Sequence, residues 1–270
     1  MSILRVEKLQ VGYGRKVILN DIHLTVTAEK ITSIIGPNGC GKSTLLKTMG
    51  RIIPQQRGTV YLYGKDLSRF PTQQVARHLT ILPQHPLAPP ELKGEELVAF
   101  GRFPHRKRLS QLSAKDKEVI AWAMDLTRVI SLRERPIGSL SGGERQRFWL
   151  AMALAQETEI LLLDEPTTYL DIAQQLEMLK IVKQLNQERH CTIVMVLHDI
   201  NHAARFSHEI VAMKQGKIIA TGPPQATITK EVLRKVFQIE ARLIKDPLSG
   251  TPVCFGYDNA PMNYCSEEAI

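Results

Sequence analysis

A glycine-rich segment between an apolar run and a helical pattern is the first part of the sequence that could do chemistry. It follows Ile31–Ile35 and consists of Gly36, Pro37, Asn38, Gly39, Cys40, Gly41, Lys42, Ser43 and Thr44. Its spacing matches the phosphate-binding pattern G-x-x-x-x-G-K-[ST]. Glycines let backbone N–H groups converge on phosphates, and the start of a helix adds partial positive charge. We expect Lys42 to contact the β- and γ-phosphates of a nucleotide and the Ser43 hydroxyl to ligate Mg²⁺.

Two consecutive carboxylates follow a second apolar run and could supply the metal ligand that a phosphate loop needs. Ile160–Leu163 predicts a buried strand, and Asp164 and Glu165 come directly after it. Open α/β sheets bind ligands at the carboxyl ends of their strands. We expect Asp164 to hold the metal and Glu165 to polarise a water molecule as a general base. Without the phosphate loop, such a pair would more often be surface residues.

A short motif at the start of a helical pattern lies just over twenty residues before these carboxylates. It consists of Leu140, Ser141, Gly142, Gly143, Glu144, Arg145, Gln146 and Arg147. A serine and two glycines suit the N-terminus of any helix, so the motif alone is not specific. Placed between the phosphate loop and the carboxylates, however, it resembles the signature motif of ATP-binding cassette (ABC) proteins. The commonest pattern has Gln where this chain has Glu144, which adds negative charge near the interface that the family implies.

The resemblance implies a two-subunit nucleotide site. In the family, the signature of one subunit, here Ser141, Gly142 and Gly143, completes the ATP site of the other, so two cassettes enclose two ATP molecules. One set of motifs in 270 residues therefore implies a homodimer or pairing with another cassette. It also implies that ATP and Mg²⁺ are bound and that ATP is hydrolysed.

Four further residues match the family pattern, which covers roughly residues 3–240. By this resemblance, Tyr13 stacks on adenine, and Gln84 contacts Mg²⁺ and the attacking water beside the membrane partner. Asp171 lies in the loop that crosses the dimer interface, and His198 contacts the γ-phosphate and assists Glu165. Each residue also has an ordinary alternative, since a lone tyrosine in a turn usually packs and a lone histidine usually satisfies local hydrogen bonds.

Alternating apolar runs and helical patterns must position these groups. Strands are predicted at Leu4–Leu9, Val17–Val26, Ile31–Ile35, Ile160–Leu163, Thr192–Leu197 and Ile210–Met213, and helices at Ser43–Arg51 and Ile172–Arg189. The alternation favours an α/β core with a largely parallel sheet. The first two strands are expected to form an antiparallel edge, joined through the turn at Gly12, Tyr13 and Gly14.

Residues 86–156 show a different pattern, with helices predicted at Ser113–Val129 and Gly142–Ala155 and no convincing strand. We predict a helical subdomain inserted there, within one domain over residues 1–240, and a short tail over residues 241–270. The resemblance implies the ABC ATPase fold, which is an α/β, P-loop NTPase (RecA-like) core with an antiparallel β subdomain and an inserted α-helical subdomain.

Composition limits the class of protein but does not say what the basic half of the chain binds. The net charge is +8, and residues 1–135 carry 22 Lys and Arg against 11 Asp and Glu, whereas residues 136–270 carry 13 against 16. Such an excess suits nucleic acid, anionic lipid or phosphorylated small molecules, or a solvated face. No stretch without Asp, Glu, Lys or Arg exceeds 13 residues. A spanning helix needs about 20 apolar residues, so none is predicted.

The start of the chain lacks the apolar run of a secretory signal, and the four cysteines lack metal-ligand spacing. Both observations favour a reducing, cytoplasmic setting. Together with the resemblance they predict a peripheral protein at the cytoplasmic face of the cell membrane. Its permease would then be made of separate integral-membrane subunits.

Three segments favour one class of importer. Gly101–His105, Thr167–Asp171 and Val196–Asn201 resemble the ATPases of iron(III)-siderophore uptake, most closely the ferric hydroxamate type of Gram-positive bacteria. Haem, cobalamin and other metal-chelate importers share parts of this pattern and remain alternatives. The cassette never touches the cargo, which an extracellular or periplasmic siderophore-binding protein and the permease select.

The permease-docking surface is expected around residues 84–108. It would include a basic run of Arg102, Arg106, Lys107 and Arg108, for which a solvated face is an equal alternative. A soluble clamp ATPase acting on nucleic acid is less favoured, because such proteins have tandem cassettes or long coiled coils. No nucleic acid is therefore expected as a partner.

Overall fold

The protein alternates strands and helices along most of its length. The computed structural model describes residues 2–14, 16–106 and 111–260. The strands there are β1 (Ser2–Tyr13), β2 (Lys16–Thr27), β3 (Ile31–Ile35), β4 (Arg57–Leu62), β5 (Lys65–Asp66), β6 (Leu79–Leu82), β7 (Ile160–Leu163), β8 (Thr192–Val196), β9 (Glu209–Lys214), β10 (Lys217–Gly222), β11 (Ile239–Lys245) and β12 (Pro252–Asn259). The helices are α1 (Lys42–Met49), α2 (Thr72–His78), α3 (Gly94–Ala99), α4 (Ala114–Leu126), α5 (Gly142–Ala155), α6 (Ile172–Arg189), α7 (Ile200–Phe206), α8 (Pro224–Thr227) and α9 (Lys230–Phe237).

A six-stranded sheet forms the centre of the fold. Its order is β10-β9-β3-β8-β7-β6, and all neighbouring pairs are parallel except the β9–β10 hairpin at one edge. The predicted α/β core with a largely parallel sheet is thus confirmed. Because parallel strands point the same way, the loops that follow β3, β8, β7 and β6 all leave from one edge of the sheet.

Both faces of this sheet are buried, which explains its continuous apolar strands. Side chains alternate between the faces, so Leu161 and Leu163 of β7 belong to one apolar core and Ile160 and Leu162 to another. The first core contains the helices α4, α5 and α6, and the second contains α1 and the amino-terminal strands. The strands are therefore held rigidly from both sides.

The amino-terminal strands lie in a separate antiparallel sheet. Its order is β2-β1-β4-β5. The predicted antiparallel pairing of β1 and β2 is correct, with Val6 opposite Leu24, for example. They do not form an edge of the central sheet. Strand β4, which the sequence did not predict, pairs with the other side of β1 and completes a separate sheet.

The segment between β6 and β7 is helical. Its described residues contain α3, α4, α5 and short 3₁₀ turns, with a single isolated bridge between Lys93 and Pro136. Ser113 caps α4 and Ser141 caps α5 through reciprocal side-chain and backbone hydrogen bonds. The two predicted helices thus begin where their serine caps stand.

Arg102 is buried inside this segment and does not face a partner. Its side chain is 3% exposed. Its guanidinium donates to Asp116 Oδ1 at 2.8 Å, to the Ala155 carbonyl at 2.7 Å and to Glu157 Oε2 at 2.8 Å. The expectation that Arg102 belongs to a permease-facing or solvated basic run is therefore wrong. Lys107 and Arg108 lie outside the described residues.

The carboxyl-terminal part contains a hairpin where the sequence analysis expected only a short tail. Strands β11 and β12 pair antiparallel, with Leu243 opposite Cys254. Asn201 of α7 fastens the hairpin, because its amide donates to the Cys254 carbonyl at 3.1 Å and accepts from the Cys254 N–H at 2.7 Å. Residues 261–270 lie outside the described part of the chain.

Candidate active site

Most of the predicted phosphate, metal and catalytic residues come together at the carboxyl edge of the central sheet. The phosphate loop follows β3, Gln84 follows β6, Asp164 and Glu165 follow β7, and His198 follows β8. These strands are neighbours in the order β3-β8-β7-β6. Residues up to 162 positions apart in the sequence thus meet at one edge, as open α/β sheets place their ligand sites.

The phosphate loop has a backbone that only glycine adopts easily. Gly36 and Gly41 have φ of 154° and 103°. A Cβ at Gly36 would lie 2.3 Å from the Met213 carbonyl oxygen, and one at Gly41 would lie 2.6 Å from Leu19 Cδ2. Helix α1 then begins at Lys42 with Gly41 as its N-cap and no side-chain cap, so its first N–H groups stay available to an anion.

The side chains of the loop divide into an outer and an inner set. Asn38 and Gly39 are exposed and Ser43 is half-buried, whereas Cys40 and Thr44 are buried. Burial raises the pKa of the Cys40 thiol, so it stays protonated at neutral pH. Asn38, Gly39 and Ser43 are therefore the residues of this group that solvent reaches most directly.

Lys42 is held inside the loop by its own backbone. Its ammonium donates to the Gly36 carbonyl at 2.8 Å and to the Pro37 carbonyl at 3.0 Å. Both acceptors are neutral carbonyls, so an anion in the loop would attract the ammonium more strongly than they do.

The Asp164 carboxylate meets the requirements of a metal ligand. Its side chain is 0% exposed, and neither of its oxygens accepts a hydrogen bond from the described residues. Lys47 Nζ lies 3.2 Å from Oδ2, which is an ion-pair distance. Buried polar atoms are nearly always hydrogen-bonded, and Lys47 lies against only one of the two oxygens, so the carboxylate has acceptor sites left for a further ligand. A hydrated Mg²⁺ would be such a ligand.

Glu165 is the residue on which three loops converge. Its Oε2 accepts hydrogen bonds from the Gln84 amide and, at 3.1 Å, from the Thr168 hydroxyl, and its Oε1 lies 2.8 Å from His198 Nε2. Its backbone is left-handed, with φ of 54°, which non-glycine residues adopt rarely and mostly where the surroundings enforce it. Thr168 is not among the site residues that the sequence predicts.

The signature motif presents its serine and first glycine outward. Ser141 caps α5, since its hydroxyl accepts from the Glu144 N–H at 3.2 Å, while the Ser141 N–H donates to Glu144 Oε2 at 2.8 Å. These hydrogen bonds from Ser141 lower the pKa of the Glu144 carboxyl. A Cβ at Gly142 would meet nothing within 4 Å, whereas one at Gly143 would collide with Gln174. Glu144 therefore completes the cap, and the space over Gly142 is open.

Tyr13 and Asp171 form no described hydrogen bond with the residues gathered around Glu165. Tyr13 is exposed at the end of β1. Asp171 is the N-cap of α6, where Oδ1 accepts from the Gln174 N–H at 2.8 Å. Among the described residues, no hydrogen bond joins either of them to Lys42 or Glu165.

Comparison with known proteins agrees with this geometry. Residues 19–168 match the family model described as ABC transporter. The chain is 51% identical to the iron(3+)-hydroxamate import ATP-binding protein FhuC of Bacillus subtilis, with 96% of both chains covered. It is 40% identical to the ferric enterobactin transport ATP-binding protein FepC of Escherichia coli, over 93% of this chain and 92% of that one.

Solved structures show the same fold. The dimeric post-hydrolysis structure of an ATP-binding cassette with ADP and Pi matches with a TM-score of 0.71 at 26% identity, covering 82% of this chain and 98% of that one. The predicted ABC ATPase fold is confirmed. No helix in the described part of the chain is long and apolar enough to cross a membrane. The chain belongs to the ABC transporter family, in which it is an ATP-binding, ATP-hydrolysing subunit of an importer.

Proposed function

We propose that this subunit drives the uptake of iron(III) bound to a hydroxamate siderophore. The observation that carries the proposal is the 51% identity to an iron(3+)-hydroxamate import ATP-binding protein, which extends over 96% of both chains. The cargo would pass through separate permease subunits after delivery by an extracellular or periplasmic binding protein. The subunit would act as a homodimer at the cytoplasmic face of the membrane.

The phosphate loop, Tyr13 and the signature motif are the proposed contacts of the nucleotide. Its backbone N–H groups, together with Ser43 and Thr44, would bind the phosphates, and Lys42 would exchange two carbonyl partners for phosphate oxygens. The exposed ring of Tyr13 would stack on adenine. The open space over Gly142 supports the proposal that the signature of one copy faces the γ-phosphate held by the other.

Asp164, Ser43 and Gln84 are the proposed holders of Mg²⁺. The two buried oxygens of Asp164, which accept no hydrogen bond from the described residues, support this assignment. Mg²⁺, when bound, neutralises charge that develops on the β- and γ-phosphates. The side chains of this chain then have to position the water and take its proton.

Glu165 is the proposed general base. Its two oxygens accept from Gln84, Thr168 and His198. An ionised carboxylate offers about four acceptor sites, so Glu165 can also accept a proton from a water aligned with the γ-phosphate. His198 Nε2, 2.8 Å from Oε1, can remain as the donor that orients the carboxylate. Gln84 borders the proposed permease surface, so docking would act on Glu165 through the hydrogen bond between the two side chains.

Growth on single iron sources tests the cargo. Deletion of the gene should abolish growth on ferric hydroxamates and leave growth on ferric citrate intact. The wild-type gene should restore growth, and a gene carrying Lys42→Ala should not. Unimpaired use of every hydroxamate by the deletion strain would refute the proposal, and a defect confined to haem or cobalamin would favour those cargoes.

A further inference from the structure

The Asp164 carboxylate is a buried charge whose only described ion pair is with Lys47. Neither of its oxygens accepts a hydrogen bond from the described residues, and its side chain is 0% exposed. Leaving an ionised carboxylate buried without a partner is strongly destabilising. Lys47 Nζ, 3.2 Å from Oδ2, therefore compensates a charge that the rest of the described chain leaves open.

Lys47 approaches this carboxylate from helix α1, one turn beyond Lys42. Its backbone carbonyl accepts from the Ile52 N–H at 2.8 Å, which fixes the main chain. Its side chain, in contrast, is 32% exposed. An ammonium on a flexible four-carbon stem that reaches solvent can leave its partner at small cost, because water solvates it.

We propose that Lys47 is the resting counter-ion of Asp164 and competes with the divalent cation for this carboxylate. The proposal rests on the role of Asp164 proposed above. While the ammonium lies on Oδ2, that oxygen is not free to hold a hydrated metal. The apparent affinity for the metal is then lowered in proportion to the time that the ion pair is formed. The ion pair also compensates the buried charge whenever no metal is bound.

Three variants separate this role from a merely structural one. Lys47→Met removes the charge and keeps the aliphatic stem, whereas Lys47→Arg keeps the charge. Lys180→Met is the matched control, because Lys180 is exposed on α6 and has no ion pair among the described residues. Mn²⁺ serves as the probe, with its binding measured by electron paramagnetic resonance in the presence of ADP.

We expect Lys47→Met to bind Mn²⁺ about fivefold more tightly than the wild type. The effect is modest because a partly exposed ion pair is weak and competes only weakly with the metal. Lys47→Arg and Lys180→Met should bind it like the wild type. Without metal and nucleotide, Lys47→Met should also unfold about 3 °C lower, while Lys180→Met should not. If Lys47→Met does not fold, Lys47→Gln is measured in its place.

Unchanged or weaker Mn²⁺ binding in the folded Lys47→Met or Lys47→Gln variant overturns the proposal. Asp164→Asn distinguishes this failure from failure of the metal site itself. If Asp164→Asn weakens Mn²⁺ binding and Lys47→Met does not strengthen it, Asp164 is a metal ligand without a competing lysine. If Asp164→Asn leaves Mn²⁺ binding unchanged, the proposed metal role of Asp164 is wrong, and the competition proposal is overturned with it.

Discussion

Replacing Glu165 with Gln removes the proposed base while preserving most of the contacts of its side chain. The amide oxygen of the glutamine can take the place of Oε2 and accept from Gln84 and Thr168, as the carboxylate does. Its NH₂ group would then face His198 Nε2, which accepts when the ring carries its proton on Nδ1. The loop around residue 165 should therefore keep its shape.

The expected effect is a large loss of rate with little loss of stability. A positioned general base contributes about 10²- to 10⁴-fold to the rate, which is about 3 to 5 kcal/mol of activation free energy. The free energy of unfolding should change by less than about 1 kcal/mol, because the variant loses no described hydrogen-bonding partner. ATP binding should persist, since the described contacts of Glu165 are to Gln84, Thr168 and His198 and not to the phosphate loop.

Three measurements test this reasoning. Phosphate release at saturating ATP and Mg²⁺ reports turnover, equilibrium binding of ATP reports affinity, and size-exclusion chromatography with ATP reports the closed dimer that should accumulate. Thr168→Val is the matched control, because it removes one hydrogen bond to Glu165 and leaves the carboxylate in place. It should slow turnover far less. Turnover of Glu165→Gln near that of the wild type would refute the assignment of Glu165 as the base.

Three further outcomes follow from buried charges. Lys42→Ala should lose nucleotide binding, and unchanged ATP affinity in calorimetry would contradict the phosphate-loop assignment. Arg102→Met should lower the free energy of unfolding in urea by about 3 kcal/mol because it removes the guanidinium from the buried Asp116 carboxylate, whereas Arg128→Met, at an exposed ion pair, should cost under about 1 kcal/mol. The Ser113 hydroxyl and then Arg102 hold the pKa of Asp116 at about 2. Since folding lowers this pKa, the ionised Asp116 carboxylate adds about 2 kcal/mol to the free energy of unfolding above pH 4. This stabilisation should be lost as the pH falls from about 4 to 2. The Asp116→Asn variant should not show this pH dependence.

The site residues that the sequence predicts belong to short motifs with a characteristic local spacing. Lys42 and Glu165 each follow a short apolar strand, and strand, loop and helix are contiguous in the sequence. The contacts that it missed depend on the fold. Thr168 donates to the side chain of Glu165, whose backbone is left-handed, and Arg102 finds its carboxylates on α4 and after α5.

The carboxyl-terminal hairpin shows a second limit. Its strands pair only with each other, and most of their residues are exposed or half-buried. Neither strand therefore has the continuous apolar run that marks the strands of the central sheet. The hairpin is held to the core in part through the Asn201 side chain. Asn201 stands in one of the segments that resemble the siderophore importers, but its partner at Cys254 is 53 residues away. Spacing within a motif does not predict such a contact.

Three charged groups of the proposed site have partners from the same chain. Lys42 donates to loop carbonyls, Lys47 forms an ion pair with Asp164, and Glu165 lies among three donors. Binding of ATP and metal must exchange the partners of Lys42 and Asp164, so part of the binding free energy offsets the contacts that are lost. The open space over Gly142 is different, because nothing in the same chain has to leave it. The proposed partner subunit's phosphate could thus be bound there without an exchange, which would make dimer closure the favourable step that follows the rearrangement.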